Sequence, residues 1–445
     1  MKRNPLKHLS ADSLIDFFFK FSHKIPENRT KNKYSLSDAT MSVLAMFMFK
    51  SPSLLSFQEK MQKDYNRNNL NTVFHVKNIP SDNQIRNILD NIHPDSFNEI
   101  YHEFFRRLQR GKYLESYKVL DDYYVITIDG SEYFRSEDIN CSHCLTKTIN
   151  GETQCYHQIL QAALISPKAK YVIPMPPEEI RNEDGKEKQD CELNAAKRLI
   201  PEIRKAHPKL KMLINVDGLY GNEPFINLLE QNRLSYISVA KVGNHKELFN
   251  WIEVNEKNKM NSKYERTETY TRKKKEYKRE HKYRWCNNVP LNGKIEKEVN
   301  YFEYNLINEK GKNSYRGTWI TDIKVTEENI EELVKVARAR WKIENECFNT
   351  LKNRGYHLEH NYGHGKENLS MVFFTINMLA FFIDQIIMMT EKSAIEFLSK
   401  RPVYSFFEDI KSIIKHFVID SYDDILGIIS GRYTLETKII KNNGT

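Results

Sequence analysis

Cysteine is scarce in this chain: six among 445 residues, too few to staple a fold of this size with disulfides. Glycine and proline are also sparse, at 16 and 14, while 40% of residues are hydrophobic and 12% aromatic. Collagen-like, low-complexity and disordered classes are thereby excluded, and a sizeable core can be buried. The opening stretch MKRNPLKHLSADSLIDFFFKF is basic but has no sustained apolar segment and no small-residue cleavage site, so no secretory signal is expected. The longest apolar run, Met371 to Met389, is interrupted by Thr375, Asn377, Asp384 and Gln385, which favours a buried core helix over a membrane span. No glycine-rich nucleotide loop and no Ser-His-Asp arrangement stands out, which leaves an ATPase or an acyl hydrolase without support. Nor is there a large charge excess: 68 Lys/Arg against 59 Asp/Glu gives +9, basic but far from a polycation. The class expected is a soluble intracellular protein of two to four structural units, with an anionic partner and no membrane.

That excess is concentrated. Residues 263–284 hold ten Lys/Arg, Lys273, Lys274, Lys275 and Arg279 among them, against four Glu, a net +6 of the chain's +9. Tyr264, Tyr270, Tyr277 and Tyr283 alternate with the charges. Cations interleaved with aromatics suit phosphate contact combined with stacking on bases or sugars. A charge run alone is more often a solvated hairpin, so the segment needs support from elsewhere in the chain.

Residues 1–118 read as helical, either a small DNA-docking bundle or a cap on the next domain. Ser37 is expected to cap a helix through Val43 and Phe47, and Ser81 a second carrying Ile85, Ile88 and Leu89. A third follows Pro94 and ends at Gly111. From residue 119 the period becomes that of strands: 123–128, stopping at Asp129-Gly130, then 156–165 and 170–173. A helix over 190–207, a strand over 210–216 ending at Asp217-Gly218, a helix through 225–229 and a strand over 234–240 follow. This β-β-β-α-β-α-β order over 119–244 is that of RNase H-like folds, in which the first and fourth strands are neighbours. Asp129 and Asp217 would then lie together at the carboxyl edge of the sheet. Residues 245–318 read as a basic, β-rich insertion. The core resumes over 319–390 with one long helix, opened by Thr326 as cap and running to Arg354. Residues 391–445 form a helical tail, fit either to dimerise or to cap the core. The fold class expected is α/β: an RNase H-like mixed sheet flanked by helices, with a β-rich insertion and an N-terminal helical DNA-binding region.

Asp129 and Asp217 each follow a hydrophobic strand and precede glycine, and Glu344 lies within RARWKIENECF. Taken singly these are ordinary turn and surface residues; only their joint placement points to a site. Three converging carboxylates repel one another unless cations neutralise them. Two Mg²⁺ or Mn²⁺ ions held by such oxygens can stabilise both the attacking and the leaving oxygen of a phosphoryl transfer.

The stretches VITIDGSEYF, LINVDGLYGN and RARWKIENECFNTLKNRGYHLEHNYGHG resemble the DDE transposases of bacterial insertion sequences. Within them the similarity is to the group with a Tyr-Arg-Glu-Lys signature on a helix and a β insertion in the sheet. The resemblance covers residues 120–385. It implies an RNase H-like domain binding two Mg²⁺ (or Mn²⁺) ions on Asp129, Asp217 and Glu344. It also implies cleavage of double-stranded DNA at terminal inverted repeats, joining to target DNA, a homodimer in the synaptic complex, and a cytoplasmic, nucleoid-associated location in a bacterium. Glu344 matches the family's glutamate by its Arg-x-x-x-Glu spacing from Arg340, which would contact a phosphate near the cleavage site. The signature's Tyr position falls on Ala337 and its Lys position on Leu351, with Lys352 one residue late. That slip makes Glu346, six residues before Lys352, a rival for the third carboxylate; Glu344 is preferred for its Arg spacing and its Trp-x-Ile-Glu-Asn context. Trp341 resembles the family's aromatic that receives a flipped base, while a core tryptophan packing the helix on the sheet fits equally well.

Two further groups could hold metal. Cys141, Cys144, Cys155 and His157 offer four zinc ligands, but the Cys-x-His half is tight and falls on an expected strand; reduced, unliganded thiols are the preferred reading. His357, His360 and His364 lie in a glycine-containing loop better suited to phosphate or base contact than to metal. The function expected is a metal-dependent transposase that cleaves strands and transfers the 3′-hydroxyl. The alternatives are a transposase-derived DNA-binding protein without catalysis and a metal-dependent DNA nuclease.

Overall fold

The computed structural model describes residues 8–27, 29, 33–63, 67–182, 190–292 and 297–436; the first seven residues of the stretch read for a secretory signal lie outside them. The chain begins with α1 (Ala11–Ser22), α2 (Leu36–Met48), α3 (Leu54–Lys63), α4 (Asn69–Thr72), α5 (Asp82–Leu89) and α6 (Asn98–Arg110). Strands β1 (Tyr124–Ser136), β2 (Leu145–Ile149), β3 (Glu152–Ile165), β4 (Ile173–Pro174) and β5 (Glu178–Ile180) follow. Next come α7 (Glu192–Ala206), β6 (Met212–Val216), α8 (Glu223–Gln231), β7 (Ser235–Val239) and α9 (Lys246–Lys257). The strands β8 (Ser262–Arg272), β9 (Lys275–Pro290), β10 (Glu298–Ile307) and β11 (Asn313–Thr321) lead to α10 (Ile330–Arg338). After a 3₁₀ turn (Ala339–Trp341) and a π-helical segment (Ile343–Phe348) come α11 (Asn349–Asn353), α12 (Leu369–Thr390), α13 (Lys392–Lys400), α14 (Val403–His416) and α15 (Tyr422–Ile429).

The chain folds into two units: residues 1–113, 133–157 and 349–445 form one, and residues 114–132 and 158–348 the other. In the first, every residue of α2 is buried, and the helix is capped by Ser35 rather than Ser37. Ser35 Oγ accepts the Asp38 N–H at 3.0 Å, whereas the Ser37 hydroxyl turns inward to Ser22 Oγ. Ser81 caps α5 through the Gln84 N–H and α6 ends at Gly111. The apolar run 371–389 lies in α12, which is long and apolar enough to cross a membrane; its apolar stretch is wholly buried inside the protein. The C-terminal helices pack back on the N-terminal ones: Asp12 accepts the Tyr422 N–H at 2.7 Å, and Asn69 Nδ2 donates to the Ile414 carbonyl at 3.0 Å.

The second unit is built on a mixed sheet. β1 pairs parallel with β6, and β6 parallel with β7. On its other side β1 neighbours β3, which carries β4 and β5 antiparallel. The first and fourth strands of the expected order are therefore adjacent, the RNase H-like arrangement. The basic β-rich segment extends this sheet: β11 pairs antiparallel with β7, and β10, β9 and β8 follow in order. Three local expectations are corrected. β1 does not stop at Asp129-Gly130 but runs on to Ser136, since Tyr133 and Phe134 supply further buried apolar residues. The short β4 includes Pro174 at the edge of β3, a position that tolerates a residue without an N–H. The long helix starts at Ile330, behind a turn in which Asn329 Oδ1 accepts the Thr326 N–H at 2.9 Å, and it gives way after Arg338 to 3₁₀ and π geometry.

Candidate active site

The register Thr127↔Asn215 between β1 and β6, carried on by two residues, sets Asp129 beside Asp217 on one face of the sheet, with strands about 4.8 Å apart. Asp129 lies within its strand and Asp217 just past the end of β6. Asn215, on the same face as Asp217, is fully buried. Its Nδ2 donates to the carbonyls of Val336 at 2.7 Å and Ala337 at 3.3 Å. Those carbonyls would otherwise be available to N–H groups about a turn later, and the helix tightens there and then widens into its π-helical segment. π-Segments recur at functional sites, and this one carries Glu344.

Arg340 joins the two strands' site to that segment. Its Nη1 is 3.5 Å from Asp129 Oδ2 and its Nη2 is 2.6 Å from Glu344 Oε1. Glu344 is thus the glutamate that shares a guanidinium with Asp129; Glu346 instead lends its charge to Lys342. Burial pushes the Asp129 carboxyl up to about 7, Arg340 opposes this, and the charges of Glu344, Glu192 and Asp217 add to it.

Glu192 is the residue that sequence reasoning missed. It stands in the first turn of α7, accepts from Gln158 Nε2 at 2.8 Å and from the Tyr220 hydroxyl at 3.2 Å, and its carboxyl is raised by burial and by Asp217. A Cβ on Gly130 would meet Glu192 Oε1 at 2.2 Å, so glycine after Asp129 makes room for this fourth carboxylate. An acidic residue in a first helical turn is ordinary, and nothing in the sequence marks it.

Trp341 is 43% exposed, which removes the core-packing reading; the neighbouring Lys342 Nζ lies 5.3 Å from its ring centre. Lys273 and Lys274 form the tip of the β8–β9 hairpin, both with positive φ (50° and 63°), and with Lys275 they are exposed. Arg279 is held by Glu268 at 2.7 Å. In the other unit Lys352 pairs with Glu359 at 2.8 Å.

The donors fit hard divalent cations: carboxylate oxygens from Asp129, Asp217 and Glu344, crowded enough to raise Asp129, with one guanidinium between two of them. The carboxylates are not all within 4.8 Å of one another; among the described residues the group that meets that distance is Cys141, Cys144, His157 and His364. Cys155 is not in it; it lies opposite Thr146, two residue pairs nearer the β2–β3 hairpin tip than His157. His364, from the glycine-containing loop, stands in the group instead. His357 is half-buried and His360 exposed, and neither joins the group.

Residues 188–382 match the family model described as transposase DDE domain; the match takes in Asp217, Arg340 and Glu344 and begins after Asp129. No curated protein matches the sequence significantly. Among solved structures, the chain is similar to the piggyBac transposase in a cryo-EM synaptic complex with hairpin DNA. Identity there is 12% over 92% of this chain and 85% of that one, with a TM-score of 0.40. It is also similar to the NurA nuclease from Sulfolobus solfataricus, at 10% identity over 69% of this chain and 97% of that one, with a TM-score of 0.23.

Proposed function

We propose that this chain is a DNA transposase that cuts double-stranded DNA at the terminal inverted repeats of its own element and transfers the freed 3′-hydroxyl into target DNA. The observation that carries the reading is the shared guanidinium: Arg340 ties Asp129 on β1 to Glu344 on the π-segment, with Asp217 next to Asp129 by strand register. The match of residues 188–382 to a transposase DDE domain supports it. Two Mg²⁺ or Mn²⁺ ions, held by Asp129, Asp217 and Glu344, would stabilise the attacking and leaving oxygens of the phosphoryl transfer.

The protein's own groups do the rest. Arg340, once freed from the carboxylates, binds a phosphate oxygen through two N–H donors. Trp341 offers an open ring face to a base taken out of the stack, and stacking offsets the few kcal/mol that unstacking costs. Lys273, Lys274 and Lys275 at the hairpin tip contact phosphates. Water attacks the scissile phosphodiester first, releasing a 3′-hydroxyl; that hydroxyl then attacks a phosphodiester of the target and expels its 3′-oxygen. The working form is a homodimer holding two ends.

The test is cleavage and joining in vitro on DNA carrying the element's terminal repeats, with Mg²⁺. The native chain gives nicked and joined products, while Asp129→Ala and Asp217→Ala give neither. Wild-type cleavage by either variant would overturn the assignment. Nicking without joining of pre-cut ends would mark a nuclease, and salt-dependent binding without nicking a DNA-binding protein.

A further inference from the structure

We propose that Cys141, Cys144, His157 and His364 bind one zinc ion, which ties the β2–β3 hairpin to the loop preceding α12 within the first unit. Zinc bonds of about 2.3 Å to sulfur and about 2.05 Å to nitrogen imply tetrahedron edges of about 3.8 Å between two sulfurs and about 3.6 Å between sulfur and nitrogen. The two sulfurs are 3.7 Å apart. Cys141 Sγ lies 3.5 Å and Cys144 Sγ 3.6 Å from His157 Nε2, and Cys144 Sγ lies 3.6 Å from His364 Nε2. Four edges of the tetrahedron are thus at zinc-ligand length, and all four ligand atoms fall within 4.8 Å of one another.

Each ligand is delivered by local structure. Cys141 and Cys144 flank a turn closed by the Cys144 N–H on the Cys141 carbonyl at 3.2 Å. The antiparallel register Leu145↔Tyr156 carries Cys144 across from His157. His364 sits between Gly363 and Gly365, whose φ values of 148° and 73° are costly for other residues. The loop around it is fastened from outside: Arg86 Nε donates to the Tyr362 carbonyl at 2.8 Å. Asp90 Oδ1 accepts the N–H groups of Glu367, Asn368 and Leu369, each at 3.0 Å. A Cβ on Gly365 would come within 2.3 Å of Asp90 Oδ1. Cys144, His157 and His364 are buried, so the ligands are pre-placed and shielded from water. Two thiolates with two imidazoles suit zinc over the oxygen-seeking ions of the carboxylate site, and a closed four-ligand set leaves no position for catalysis. The role is structural.

The experiment is metal analysis of the full-length chain. One zinc per chain is expected, falling at least about tenfold in Cys144→Ser and in His364→Ala and staying unchanged in Cys155→Ser. Stripping the metal with a chelator should lower Tm by roughly 10 °C. Adding Co²⁺ to the stripped native chain should then give the intense visible bands of a tetrahedral thiolate site, a readout that stands even if the substituted chains fail to fold. Zinc retained in Cys144→Ser, a Co²⁺ spectrum of octahedral type, or a Cys141–Cys144 disulfide in the purified chain would each overturn the proposal.

Discussion

Arg340 Nη1 stands 3.5 Å from Asp129 Oδ2, and the same guanidinium is committed to Glu344. One cation therefore serves a carboxyl that burial and three neighbouring acids push up to about 7. Such a site is held together against its own charges by the sheet and by Asn215, and it gives up stability to keep acidic groups close.

The cost of that charge is measurable in Asp129→Asn. A carboxyl whose folded value lies above its ordinary 3.8 holds its proton more tightly folded than unfolded. Its charge therefore weakens the fold above about pH 7, and the penalty fades as pH falls toward about 4. Without divalent metal, Asp129→Asn should raise the unfolding free energy at about pH 8 by roughly 1–3 kcal/mol, allowing for partial exposure and for the lost Arg340 pairing. The gain should vanish near about pH 4. Urea unfolding at the two pH values measures it. Mg²⁺ should raise the Tm of the native chain and leave the variant nearly unmoved; a variant no more stable than its parent at the higher pH would refute the account.

The sheet was legible because strand patterns are local features, although Asp-Gly marked the end of β6 only, β1 running on to Ser136. The adjacency of β1 and β6 follows from element order once the fold class is accepted. What escaped the sequence depends on contacts between distant segments. Asn215 engages the carbonyls of Val336 and Ala337 where the expected long helix gives way to 3₁₀ and π geometry, a contact that helical periodicity does not record. Glu192 joins the acids only because Gln158 and Tyr220 hold it over Gly130. His364 lies 220 residues from Cys144, so ligand spacing pointed to the nearer Cys155. Ser35 displaced Ser37 as cap because the Ser37 hydroxyl found a buried partner. That the basic strands continue the core sheet through β11 and β7 is a pairing between segments that their composition does not record.

The hairpin tip offers a test of phosphate contact that cannot be confused with misfolding. Lys273 and Lys274 occupy two successive positive-φ positions, where Asn-Gly is the favoured pair. Lys273→Asn combined with Lys274→Gly should leave Tm unchanged or slightly higher. If both lysines neutralise phosphates, the slope of log K against log salt for duplex DNA should become shallower by about 1.8. Filter binding or fluorescence anisotropy across a salt series measures the slope. An unchanged slope in a folded variant would remove these residues from the DNA contact.

Lys50 and Asp384 form an ion pair with both side chains almost fully buried. Lys50 Nζ also lies 3.7 Å from the Tyr356 ring centre and 4.5 Å from that of Phe407, and the Tyr356 hydroxyl donates to Asp384. Burial lowers the lysine and raises the aspartate, and each partner's charge opposes that shift in the other. The pair joins the turn just past α2 to the C-terminal half of α12. Desolvation consumes most of the attraction in such a pair, yet removing one partner strands the other. Lys50→Met should therefore destabilise by about 3–5 kcal/mol, because Asp384 keeps only the Tyr356 hydroxyl. Lys50→Met with Asp384→Leu should recover most of that loss, since the pocket is then apolar on both sides. Chemical denaturation of the parent, both single variants and the double variant closes the cycle. If the double variant is as unstable as Lys50→Met alone, the pair contributes geometry that apolar packing cannot replace, and the desolvation argument fails here.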